Sequence, residues 1–115
     1  MILRYSFSYN VYDVEGVIAV DTEKFTKEKA QEFLDFFDWD FNRKNDPIEE
    51  AVKKYCQLCV KLGVGGLGRI QVEKEISELE GYFPMGENTG IHLEDLDVEP
   101  FNWENLNFEY VVQKD

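Results

Sequence analysis

Soft metal ligands are scarce in this chain of 115 residues: one histidine, His92, and two cysteines, Cys56 and Cys59. A zinc site built on the C-x-x-C pair would need two further ligands, and a single histidine does not supply them. Two cysteines three residues apart on one helix make no disulfide framework. They also lie far from a helix N-terminus, where a redox pair gains its thiolate character. Core packing is expected for both, with Cys59 on a buried stripe and Cys56 at its margin. His92 stands alone between Ile91 and Leu93, with no serine or cysteine nucleophile and base to assemble around it. No catalytic set and no cofactor are therefore expected.

Long apolar runs are missing as well. No stretch is long or apolar enough to span a membrane. The opening MILRYSFSYN alternates like a strand and lacks the apolar block of a signal peptide, so a cytoplasmic protein is expected. Basic residues run short in the second part of the chain. Residues 1–72 hold 12 acids and 10 bases, whereas residues 73–115 hold 12 acids and 2 bases, so the net charge of −12 is concentrated there. An acidic half argues against direct contact with nucleic acid or an anionic membrane, which need the opposite sign, and permits a basic partner. Its simplest consequence is solubility.

What is present is an ordinary globular composition, 43% apolar and rich in aromatics, sized for one domain over residues 1–115. The clearest element is a helix over residues 46–63. Asp46 is a good N-cap and Pro47 suits the first helical position. Ile48, Ala51, Val52, Tyr55, Cys59 and Leu62 recur at three- and four-residue steps and share one face. Gly63 is expected to close the helix. Before it, Leu3, Tyr5, Phe7 and Tyr9 alternate as a half-buried strand. A second apolar run over 14–20, broken by Gly16, completes a hairpin. Thr26 caps a helix through Phe37, with Ala30, Phe33, Leu34 and Phe37 on one face. After the glycine-rich break at 63–68 comes a short helix over about 70–80, with Val72, Ile76 and Leu79 inward and Gly81 after it. Residues 91–98 read as a third strand. Leu106, Phe108, Tyr110 and Val112 mark a fourth. The order ββαααββ predicts an α+β fold: a meander-like antiparallel four-stranded sheet with the helices packed on one face.

Glu80-Gly81-Tyr82-Phe83-Pro84, the glycines Gly86 and Gly90, and Ile91-His92-Leu93 carry a family resemblance. Over these residues, and in the order of its elements, the chain resembles a small family of phage and prophage proteins of unknown function. The resemblance implies an α+β domain from a bacterial phage or mobile element, and implies no activity.

Three stretches invite chemistry. Asp38, Asp40, Asn42, Asp46 and Glu49 place oxygens at calcium-loop spacing between two helices. Arg43 occupies the position that needs glycine, Arg43 and Lys44 put cations where a dication would sit, and Asp46 is wanted as a helix cap. A capped interhelical loop is the simpler expectation, with weak calcium binding or a small metal-assisted enzyme as the alternative. Gly63, Gly65 and Gly68 match G-x-G-x-x-G, but follow a helix where a dinucleotide site needs a strand. Trp39, Phe41, Phe101 and Trp103 flank acidic stretches and either close a small core or anchor a partner.

The expected function is a non-enzymatic acidic protein-binding module, or an inhibitor of a basic, nucleic-acid-binding host protein. Glu73, Glu75, Glu78, Glu80, Glu94, Asp95, Asp97 and Glu99 would imitate part of a phosphate row, with Trp103 beside them. If the helix register is right, Leu62 is buried against the sheet. Leu62→Ala should then cost about 2–5 kcal/mol in denaturant melts, against less than about 0.5 kcal/mol for Lys61→Ala.

Overall fold

A computed structural model describes residues 1–9, 14–37, 42–98 and 110–114. Strands β1 (Ile2–Tyr9) and β2 (Val14–Asp21) alternate in burial, so the hairpin has one apolar face carrying Tyr5, Phe7, Val14, Ile18 and Val20. Helices α1 (Lys27–Phe37), α2 (Pro47–Val64) and α3 (Arg69–Ser77) follow, then strands β3 (Ile91–Val98) and β4 (Tyr110–Lys114). The expected α+β class and antiparallel pairing are both present. The sheet is not a meander, because β4 pairs with Tyr5–Tyr9 of β1 and the strands lie in the order β3-β2-β1-β4. This is Greek-key strand order with three helices in place of the second hairpin. Leu106, Phe108, Trp39, Phe41, Phe101 and Trp103 lie outside the described residues.

The helices cover the apolar face. α2 packs across β1, β2 and β3, α1 packs on α2, and α3 packs between α2 and β3. Cross-strand rows build the floor of this core: Leu3, Val20 and Ile91, then Tyr5, Ile18 and Leu93. In β3 the apolar residues then change phase, from Ile91 and Leu93 to Leu96 and Val98. A bulge absorbs the extra residue, since Ile18 pairs with Leu93 but Val17 pairs with Asp95. The bulge keeps Leu96 on the helix side, opposite Gly16, and leaves Asp95 and Asp97 on the open side. Gly16 is required there: a Cβ would meet the Phe7 ring at 2.4 Å and the Asp95 carbonyl oxygen at 2.7 Å.

The expected caps form. Thr26 Oγ1 accepts the Lys29 N–H at 3.3 Å, and Asp46 Oδ1 accepts the Ile48 N–H at 2.9 Å. Two expectations about α2 need correction. Its buried face runs through Ile48, Ala51, Val52, Tyr55, Cys56, Cys59, Val60 and Gly63, and Leu62 is half-buried beside it. This roll sets Gly63 against β3. A Cβ on Gly63 would sit 3.2 Å from Val98 and 3.5 Å from Leu96. Gly63 is therefore a contact residue inside the helix, and the left-handed glycine is Gly66, at φ +102°. Leu62→Ala removes half-buried area and falls below the full cavity cost. Leu79, expected inward, is 42% exposed because α3 ends at Ser77 and its periodicity stops there.

Two buried tyrosines contrast. The Tyr55 hydroxyl donates to the Phe83 carbonyl at 3.1 Å and accepts the Phe83 N–H at 2.8 Å, tethering the loop after α3. The Tyr5 hydroxyl is buried without a hydrogen-bond partner. Burial first, then the carboxylates of Asp46 and Glu49, pushes it up to about 12. Tyr55→Phe should cost about 1–3 kcal/mol by orphaning both Phe83 groups, whereas Tyr5→Phe should leave stability unchanged or raise it. Urea melts of the two variants check this, and an equal loss in both would contradict it.

Candidate functional site

The most constrained polar cluster lies where α3 meets the edge of the sheet. α3 follows Gly68, which offers no side-chain cap, and is anchored by the buried Val72 and Ile76. One helical turn separates Arg69 from Glu73, so both reach the same stretch of β3. Arg69 Nη1 donates to the Leu93 carbonyl at 3.1 Å. Glu73 Oε2 accepts the Leu93 N–H at 2.9 Å and lies 2.8 Å from His92 Nδ1. Arg69 and Glu73 also approach each other to 3.6 Å. Since β3 is an edge strand, Leu93 turns its N–H and C=O away from β2, and two side chains take the place of a neighbouring strand.

His92 is thus not the isolated strand residue that its sequence neighbours suggest. Glu73 orients its ring through Nδ1. The ring borders a depression of about 290 Å³ that is also lined by Arg4, Ala19, Glu87 and Glu94. No local pattern links residues 73 and 92. The only sequence signal is the Arg69/Glu73 spacing at the start of a helix.

The acids expected to face a partner fall into separate groups. Glu73 is committed to Leu93 and His92, and Glu94 pairs with Arg4 at 2.7 Å. Glu75, Glu78 and Glu80 are exposed on α3 and the turn after it. Asp95 and Asp97 are exposed on the open face of the sheet, where Asp97 lies opposite Glu15 and Asp95 opposite Val17. Glu15 is the acid that the sequence reading missed. Its place beside Asp97 comes from strand register alone. Glu99 and Trp103 lie outside the described residues. No lysine or arginine among the described residues forms an ion pair with Glu15, Asp95 or Asp97.

In the calcium-like loop, Asp38 and Asp40 lie outside the described residues. Asn42 and Asp46 serve the chain itself. Asn42 Oδ1 accepts the Lys44 N–H, and Asp46 caps α2. Glu49 is half-buried in the first turn of α2. The loop winds around Glu50, whose carboxylate accepts the Asn42 N–H at 2.9 Å and Asn45 Nδ2 at 2.8 Å, and pairs with Lys53 at 2.9 Å. Among the described residues, no three His, Cys, Asp or Glu side chains are grouped to hold a metal ion. Cys56 and Cys59 are both buried and form no disulfide, and burial, reinforced by Cys56 and Glu73, pushes the Cys59 thiol well up. Among the described residues no helix is long and apolar enough to cross a membrane.

No protein-family model, curated protein or solved structure matches the chain.

Burial alone would raise the Glu50 carboxyl, but hydrogen bonds from Lys53, Asn45 and Asn42 outweigh it and hold the group below the ordinary glutamate range. A depressed folded pKa stabilises the protein above the unfolded value of 4.5, and that contribution is lost as pH falls through the lower folded value. Glu50→Gln should cost about 1–3 kcal/mol at pH 7. The gap to the parent should narrow as pH drops below 4.5. Melting temperatures across pH 3–7 measure the effect, and a gap independent of pH would contradict it.

Proposed function

We propose that this chain is a non-enzymatic acidic protein-binding module, of phage or mobile-element type, that engages a basic nucleic-acid-binding host protein in the cytoplasm. The observation that carries this reading is the pairing of Glu15 opposite Asp97 on the sheet face that the three helices leave open, with Asp95 two pairs further along. Like charges directly opposite each other on adjacent strands destabilise a sheet by roughly 0.2–1 kcal/mol per pair. A basic surface laid on this face relieves that repulsion, so binding energy is available without any change in the fold. Small side chains in the neighbouring strand, Ser8 opposite Glu15 and Ser6 opposite Val17, let a partner approach the sheet closely. The excess charge also steers a cationic partner during encounter.

The test sets stability against binding. Asp97→Asn and Glu15→Gln should each raise stability by roughly 0.2–1 kcal/mol, since each removes one member of a like-charge pair. Each should also reduce capture of basic proteins from host lysate in 50 mM salt, and the parent's capture should fade in 500 mM salt. Capture that ignores salt, or variants that bind as the parent does, would overturn the proposal.

A further inference from the structure

We infer that α3 is a displaceable cover over the edge of β3, and that what replaces it is an extended partner segment alternating basic and apolar side chains. This rests on the basic-partner reading above and adds how the partner docks. Arg69 and Glu73 make the two hydrogen bonds, one to the Leu93 carbonyl and one from its N–H, that a single residue of an adjacent antiparallel strand would make. Strand addition therefore exchanges these bonds like for like and leaves no backbone group unsatisfied.

α3 is weakly anchored. Only Val72 and Ile76 of its nine residues are buried, its N-cap glycine makes no side-chain bond, and Ile70 is 70% exposed. Glycines flank it on both sides. Gly66, at φ +102°, and Gly68 have nothing within 4 Å of where a Cβ would stand, and Gly81 sits at φ +89°. The connector after α3 is held, by Tyr55 through Phe83 and by the Met85 N–H donated to Ser77 Oγ at 2.9 Å, so release begins at the glycine-flanked N-terminal end that carries Arg69 and Glu73. Elements with few buried contacts open at the least cost.

The chemistry of the occupant follows from β3. On the open face an added strand runs beside His92, Asp95 and Asp97, with Glu15 in the next strand. On the other face it runs beside Leu93, Leu96 and Val98. Side chains alternate across a strand, so the matching segment is basic at every second position and apolar between. A second copy of β3 fits less well, because it would bring its own Glu94, Asp95 and Asp97 to a face that is already acidic.

The test uses two octapeptides of lysine and valine, one alternating and one with the same residues in two blocks, titrated calorimetrically. The parent should bind the alternating peptide more tightly, and hydrogen exchange at the Leu93 amide should slow when it binds. Glu73→Ala, and Arg69→Ala as a second loosening variant that keeps the Leu93 N–H satisfied, should lower the apparent Kd by about tenfold, because more molecules are open at any moment. Gly68→Ser combined with Ile70→Ala gives α3 a cap and a better helix former at an exposed position, and should raise the Kd by about threefold. Equal binding of both peptides, unmoved by any of these variants, overturns the edge inference and leaves the basic-partner reading intact. Failure of the alternating peptide to bind any of the proteins also overturns the edge inference. The basic-partner reading stands or falls separately, on the Asp97→Asn and Glu15→Gln captures.

Discussion

Leu93 sits on the outer edge of the sheet with an N–H and a C=O that β2 cannot reach, and both lie against protein. Unpaired backbone groups in such a place cost about as much as lost hydrogen bonds. Much of the second half of the chain is arranged around that need. α3 lies along the strand so that Arg69 and Glu73 reach Leu93. The loop that follows returns to the same edge, where the Ile91 carbonyl accepts the Gly86 N–H at 2.9 Å and the Thr89 hydroxyl at 3.1 Å. The Asp21 N–H then reaches the Gly90 carbonyl and fastens the loop to the end of β2. A sheet with an open edge invites pairing with another chain, and here the edge is closed by side chains and a loop.

α2 performs the matching task for the connections. Its apolar face rests on the sheet, while two polar side chains at its flanks hold neighbouring segments. Glu50 gathers the loop before it, and Tyr55 holds the loop after α3. An aromatic group surrounds Tyr55, with Phe33 stacked at 4.9 Å and Tyr82 edge-on at 5.3 Å. Losing either anchor would break two or more part-buried hydrogen bonds at once, so these residues do more for the fold than one bond apiece would.

The acidic residues divide by what they touch. Asp46, Glu50, Glu73 and Glu94 are spent on a cap, a loop, an edge and an ion pair. Glu15, Asp95 and Asp97 share the sheet face that the helices leave open, with no cation bonded to them among the described residues. The formal charge hides this division. The second group forms the surface on which the proposed basic partner would dock, and the first helps to hold the shape.

Local patterns in the sequence were enough for the helices, the hairpin, the third strand, the caps at Thr26 and Asp46, and most of the buried face of α2. These features depend on side-chain spacing within one element, and burial on one face imposes that spacing directly. The phase change from Leu93 to Leu96 was there to be read as a bulge, but its meaning depends on which strand lies opposite. The roll of α2 that favours Gly63 over Leu62, the closing of the β3 edge by Arg69 and Glu73, the partner of His92, and the meeting of Glu15 with Asp97 were decided only by tertiary structure. Each joins residues far apart in the chain, through strand register or through a helix laid against an edge. No window along the sequence contains both halves of such a contact.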